Sequence, residues 1–204
     1  MARNFIVLLF FLFTALPASA ATTVLALGDS LTAGYGLDAG HAMPDVLQAA
    51  LKQAGQDITI INAGVSGDTA AQGAARFDWS LTPEVKAMIL ELGANDALRG
   101  LPPEQAEKAL RQIMDKAKAK NLPVLILGMK APPNLGSDYQ TKFDSIFPRL
   151  AADYGAMFYP FYLEGVAADP SLNQADGIHP NDKGVAIIVP RLVPLVEQLV
   201  TKLP

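Results

Sequence analysis

Four short blocks of this chain carry the residue types that acyl transfer requires. The first, Gly28-Asp29-Ser30-Leu31-Thr32-Ala33-Gly34, follows an apolar run. It offers the Ser30 hydroxyl at the start of a loop or helix, where N-terminal amides favour developing negative charge. The second, Ser66-Gly67-Asp68-Thr69, contains a glycine whose N–H can face an oxyanion with no side chain in the way. The third, Gly93-Ala94-Asn95-Asp96, adds a carboxamide, a neutral donor suited to the same oxyanion. The fourth, Asp176-Gly177-Ile178-His179-Pro180, supplies a base. A serine hydroxyl is a poor nucleophile at neutral pH, and imidazole, with an ordinary pKa of ~6.5, is the side chain able to take its proton. Asp176 stands three residues before His179 and is placed to hold the Nδ1–H, leaving Nε2 for the hydroxyl. Each block has a plainer reading when taken alone. Asp29 or Ser30 could be a helix N-cap, Ser66 or Asp68 could cap a turn, Asn95 could occupy the left-handed region of a tight loop, and His179 could bond a turn aspartate. Together they supply a nucleophile, a base, its orienter and two donors.

Composition removes most other chemistries. With no Cys there is no thiolate nucleophile, disulfide scaffold or Cys-ligated zinc, and two His cannot form a three-His zinc site. His41 has only Asp38 and Asp45 as nearby carboxylates and reads as a surface or helix-start residue. Gly34, Gly36 and Gly40 miss the spacing of a dinucleotide loop, and no phosphate-binding G-x-x-x-x-G-K-[ST] motif occurs. A net charge of −4 argues against a nucleic-acid partner, which needs a basic face to displace counterions.

These residues need a scaffold, and the chain of 204 residues, 50% of them hydrophobic, is long enough to bury one core. Strand-length apolar runs at 23–27, 58–61, 87–92, 123–128 and 156–159 are nearly continuous, as strands covered on both faces must be. Helical patterns fall at 43–54, 103–120, 138–154 and 181–202, with Pro190 and Pro194 threatening the continuity of the last. This alternation predicts a single α/β domain with a mainly parallel five-stranded sheet. Ligands of such sheets bind beyond the carboxyl ends of the strands, and all four blocks follow predicted strands.

The first twenty residues read differently. Arg3 precedes an unbroken apolar run from Phe5 to Phe13, and Ala18-Ser19-Ala20 has the small residues of a cleavage site. The run falls short of the ~20 residues that a spanning helix needs. Residues 1–20 are therefore expected to be a secretory signal and residues 21–204 an exported, acidic domain without a stable membrane anchor.

The chain resembles the SGNH (GDSL-type) hydrolases, and within them the exported bacterial branch of thioesterase I, lysophospholipase and arylesterase enzymes. The runs that carry the resemblance are Leu27-Gly28-Asp29-Ser30-Leu31-Thr32-Ala33-Gly34-Tyr35, Ser66-Gly67-Asp68-Thr69, Glu91-Leu92-Gly93-Ala94-Asn95-Asp96-Ala97-Leu98-Arg99-Gly100 and Asp176-Gly177-Ile178-His179-Pro180-Asn181. The resemblance implies a flavodoxin-like three-layer α/β/α sandwich, catalysis by Ser30, Asp176 and His179, and an oxyanion hole made by the Ser30 N–H, the Gly67 N–H and the Asn95 side chain. It implies no metal or organic cofactor. By analogy the loops 76–81, with Phe77 and Trp79, and 129–136 border an acyl pocket, and Trp79, Pro132, Asn134 and Ile178 are the expected substrate-binding residues. Ala94 stands where the family often has Gly, and Met43-Pro44 where it often has Trp-Pro. The expected activity is hydrolysis of carboxylic esters and thioesters by a monomer acting on small acyl substrates. The alternatives are a carbohydrate O-deacetylase of the same family and a non-catalytic exported module that holds an acyl chain or glycan in the cleft.

Overall fold

A computed structural model describes residues 21–203, so the expected signal peptide lies outside the described residues. Five strands, β1 (Thr22–Gly28), β2 (Ile58–Gly64), β3 (Val85–Glu91), β4 (Val124–Leu127) and β5 (Met157–Tyr159), form one sheet in the order β2-β1-β3-β4-β5. All four pairings are parallel, and Gly28 lies in register with Gly64 on one side and Glu91 on the other. Eight α-helices connect or flank them: α1 (Ser30–Ala33), α2 (Met43–Gln53), α3 (Ala70–Ser80), α4 (Ala94–Leu98), α5 (Pro103–Ala119), α6 (Ser137–Asp144), α7 (Ile146–Tyr154) and α8 (Asp182–Val200). Helix α2 packs with α8, and α3 packs with α5, which also meets α6 and α7. These two helical layers bury the sheet on both faces, which is why Val24, Leu25, Ala26 and Leu27 of β1 have no exposed surface. The three-layer α/β/α sandwich is as expected.

The strand order places the topological switch between β1 and β3, because the chain leaves β1 toward β2 and returns past it to β3. A crevice opens at the carboxyl edge of such a switch. The loops that enter it follow Gly28 and Glu91.

Helix α3 lies where the hydrophobic pattern gives no helix. Its buried stripe is Ala70, Gly73, Ala74 and Phe77, the spacing of one helical face but built mostly from small residues. The signal lies instead at its start, where Thr69 and Gln72 form a reciprocal capping box. The segment 76–81, read above as a loop, is thus the last turn of α3 and its C-cap. The single helix expected over 138–154 is two, α6 and α7, meeting at Ser145, and Pro148 sits in the first turn of α7, where its missing N–H costs no helical bond. Helix α8 runs through Pro190 and Pro194. Both prolines, and Ala186 four residues before the first, lie on its exposed face, where freed carbonyls reach water.

The end of β2 is pressed against α1. A Cβ at Gly64 would sit 2.1 Å from the Ala33 N and 2.6 Å from its Cα, both backbone atoms that cannot rotate away. Gly64→Ala is therefore expected to lower stability by ~1–3 kcal/mol, the usual range for overpacking, read as a fall in the urea midpoint. It should also cut activity, since relief of the clash displaces the helix that begins with Ser30.

Candidate active site

Ser30 is the first residue of α1, immediately beyond the end of β1. Asp29 is the N-cap, its Oδ1 accepting from the Leu31 N–H at 3.0 Å. This cap leaves the Ser30 N–H, the first amide of the helix, without an acceptor among the described residues.

The imidazole arrives from the far end of the chain. His179 Nε2 lies 2.8 Å from Ser30 Oγ, across 149 residues of sequence. His179 Nδ1 lies 2.7 Å from Asp176 Oδ2, while Asp176 Oδ1 accepts from the backbone N–H groups of Ile178 and His179. Partial burial works against ionisation of Asp176, but the bond to His179 and the two backbone N–H groups outweigh it and hold the carboxyl below its ordinary value. A carboxylate at Nδ1 fixes the tautomer that leaves Nε2 facing the hydroxyl as acceptor.

The loop that presents His179 is braced at several points. The Gln174 N–H donates to the His179 carbonyl, and the Gln174 carboxamide donates to the Tyr35 and Pro180 carbonyls. Asn181 caps α8 through its Oδ1 and donates from Nδ2 to the Ser171 and Asn173 carbonyls. The Tyr35 ring lies against the imidazole, with centroids 4.8 Å apart. Position and ring plane of His179 are thus set by partners on both sides of the crevice.

Two further loops supply donors. Gly67 has a φ of +88°, a conformation glycine adopts without strain, and its N–H has no acceptor among the described residues. Its carbonyl is held at 2.7 Å by Arg99 Nη2, so the peptide plane is pinned from behind. Asn95, in α4, is fixed by its neighbour: Asp96 is buried and its Oδ2 accepts from the Ala70 N–H at 2.8 Å, joining α4 to the start of α3. The Asn95 carboxamide donates to Asp29 Oδ2 at 3.0 Å and to the Asp68 carbonyl at 3.1 Å. Arg76 ties these loops together, donating to Asp68 Oδ2, the Ala63 carbonyl and the Gly28 carbonyl.

Ser30, Gly67, Asn95 and His179 all open on one cavity of about 390 Å³, whose walls are mostly apolar: Leu31, Leu98, Met129, Pro132, Phe161 and Ile178. Of the expected substrate-binding residues, Pro132 and Ile178 line it. Asn134 does not; it is exposed on a 3₁₀ turn (Pro133–Leu135). Trp79 does not either. It is 87% exposed near the end of α3, ~14 Å along the helix axis from Ala70 at the rise of ~1.5 Å per residue, and Phe77 is buried in the core. His41 is exposed outside the cavity, its Nδ1 3.0 Å from Asp182 Oδ1, which raises its pKa. Among the described residues no cluster of three or more His, Asp or Glu is placed to hold a metal ion.

Four residues that hold the site had no role assigned from the sequence: Arg76, Arg99, Gln174 and Glu91. Glu91 and Arg99 stand within the run that carries the family resemblance, and Glu91 is the one charged residue in the apolar run 87–92.

The chain has relatives among known proteins. Esterase TesA of Pseudomonas aeruginosa is 42% identical over 163 residues, covering 79% of this chain and 81% of the relative. Thioesterase 1/protease 1/lysophospholipase L1 of Escherichia coli K12 is 40% identical over 174 residues, covering 85% and 82%. The crystal structure of AlinE4, an SGNH-hydrolase family esterase, superposes with a TM-score of 0.76 at 45% identity, covering 89% of this chain and 97% of that one. A profile of the GDSL-like lipase/acylhydrolase family matches residues 26–187, the span from β1 to the first turns of α8 that holds every site residue described above. This chain belongs to that family.

Proposed function

We propose that the protein is a serine hydrolase that cleaves carboxylic ester and thioester bonds of acyl substrates through an acyl-enzyme on Ser30. The observation that carries this reading is the unbroken chain from Asp176 to His179 to Ser30, at 2.7 and 2.8 Å, ending beside two unengaged backbone N–H groups at the mouth of an apolar cavity. Esterase and thioesterase names among the relatives support the same chemistry.

Ser30 Oγ attacks the acyl carbonyl as His179 Nε2 takes its proton. The resulting oxyanion faces the Ser30 and Gly67 N–H groups, with Asn95 at the same wall. His179 then returns the proton to the departing alcohol or thiol, the carbonyl re-forms, and the acyl group remains on Ser30. Water repeats the sequence in the second half, with His179 again as base. Asp176 stabilises the imidazolium at each stage. The apolar walls of the cavity favour acyl chains longer than acetyl, because each buried methylene contributes ~0.8 kcal/mol. The N-terminal twenty residues, read as a secretory signal, support export of the enzyme to the periplasm or the medium. No helix among the described residues is long and apolar enough to cross a membrane.

Ser30→Ala should abolish turnover of a p-nitrophenyl ester and labelling by a fluorophosphonate while the circular dichroism spectrum is unchanged; wild-type turnover in that variant would refute the mechanism. Asn95→Ala should lower kcat by ~10²–10³, the usual loss for one oxyanion donor, in a protein that still folds. The pH profile has a definite sign. Asp176 keeps its charge to below the ordinary carboxylate range, and an enzyme that works through a neutral imidazole base should show kcat/KM rising with pH to a plateau. A profile flat from ~pH 5 to ~9 would be inconsistent with an imidazole base.

A further inference from the structure

Beneath the nucleophile lies a carboxyl group that the mechanism above leaves unused. Glu91, the last residue of β3, has no exposed surface. Its Oε2 accepts from the Asp29 N–H at 3.2 Å and from Thr32 Oγ1 at 2.8 Å, which places the Glu91 carboxyl directly beside Asp29, whose side chain is buried as well. Among the described residues no cation contacts the pair. The Arg76 guanidinium, which reaches the Gly28 carbonyl, directs its other N–H groups to Asp68, Ala63 O and Ser80. The other titratable groups facing the pair are the buried Tyr162 phenol and His179 across the serine.

Two neighbouring carboxyls without exposed surface and without a cation cannot both ionise near neutral pH. Glu91 Oε1 is buried and has no hydrogen-bond partner among the described residues, a burial that costs an ionised oxygen far more than a neutral acid. Asp29, by contrast, accepts from the Leu31 N–H and from Asn95, as a carboxylate should.

The Asn95 carboxamide has two hydrogens, and both are engaged, one by Asp29 and one by the Asp68 carbonyl. A developing oxyanion must compete for one of them. Bonds to a charged acceptor are roughly twice as strong as neutral ones, so the Asp68 carbonyl is the partner that yields and Asp29 is the one that keeps the amide plane aligned.

We infer that Asp29 and Glu91 share a single proton and act together as the positioning element of the oxyanion hole, Asp29 anchoring the Asn95 carboxamide and protonated Glu91 holding Asp29 in place. This rests on the esterase reading for its catalytic consequence, although the proton itself does not. Burial pushes the Asp29 carboxyl up from 3.8 to about 6, against the hydrogen bonds that favour its charge, and pushes Glu91 well above the ordinary range. Between 3.8 and about 6 the folded chain therefore holds a proton on Asp29 that the unfolded chain has released. Stability should fall across that window as pH rises, and Asp29→Asn should lack this component of the slope.

The deciding measurement is infrared spectroscopy of the wild-type enzyme with ¹³C at the glutamate carboxyls. One isotope-shifted protonated-acid band should persist at ~pH 8, where an ordinary glutamate is ionised; its absence in folded protein overturns the proposal. Activity supplies the second readout. Asp29→Asn should lower kcat at least ~10-fold with KM little changed, as expected when an interaction made in the transition state is lost. Glu91→Gln retains a hydrogen-bond donor beside Asp29 and should lower kcat by only a few-fold. An unchanged kcat in Asp29→Asn would mean that the pair does not position Asn95, and that result overturns the proposal. Should the band persist in an enzyme with no ester hydrolysis, the failure lies with the esterase reading and not with the shared proton.

Discussion

The hydrogen bond between Ser30 and His179 is the contact on which the rest of the architecture depends. It joins residues 149 apart in sequence, and a loop closure of that length carries a large entropic cost that one neutral hydrogen bond, worth ~1 kcal/mol net, cannot offset. The sheet meets that cost instead. With all strands parallel, every strand-to-helix loop opens on the same edge, so the β1 and β3 loops are neighbours before any polar contact forms. The loop after β5 is then held over them by α8, which packs against α2 on one face of the sandwich. The remaining precision comes from Gln174, Asn173 and Asn181, whose side chains satisfy the carbonyls around His179.

The charges of the site are arranged by the same economy of position. Asp176 and Asp29 are both carboxylates near the imidazole, yet their surroundings push them in opposite directions. Asp176 is partly exposed and accepts two backbone N–H groups besides His179, which favours its charge. Asp29 is fully buried beside a second carboxyl, which disfavours it. In the proposed mechanism an imidazolium at His179 would thus be stabilised from the Asp176 side, away from the oxyanion. On the Ser30 side the firm donors are backbone amides. These carry no net charge, need no reorganisation and stay fixed as charge develops, which is the condition under which such donors are most effective.

Much of this was legible in the sequence because it rests on rules that act locally. Continuous apolar runs marked the strands, and the requirement that reactive side chains follow parallel strands placed Ser30, Gly67, Asn95 and His179 together. The parts that escaped depend on shape or on distant partners. Helix α3 buries alanine and glycine, so its stripe carries little hydrophobic signal, and only the Thr69–Gln72 cap betrays it. Trp79 drew attention as a large aromatic near a predicted loop. Once that loop is a helix, its last turn lies at the far end from the crevice, and the residue that packs inward is Phe77. Asn134 misses the cavity because the 3₁₀ turn that carries it directs Pro132 and Pro133 to the wall. Arg76 and Arg99 act on carbonyls 13 to 48 residues away, partners that no spacing rule anticipates.

A last step concerns why the site tolerates so many buried polar groups. Helices α1 and α4 have only four and five residues, too short to be stable by their own hydrogen bonds. Each is held instead by one buried acid that reaches a neighbouring element: Glu91 accepts from Thr32 of α1, and Asp96 of α4 accepts from the first residue of α3. Apolar packing could bury these helices, but it could not fix their rotation about the strand ends, since dispersion contacts are non-directional. A hydrogen bond to a fixed carboxyl oxygen does define that rotation. The burial cost of Glu91 and Asp96 is accordingly a local loss of stability set against the orientation of Ser30 and Asn95. Relief of that cost by an isosteric apolar residue would be expected to strengthen the core while loosening the crevice, because stability and alignment here are carried by different atoms.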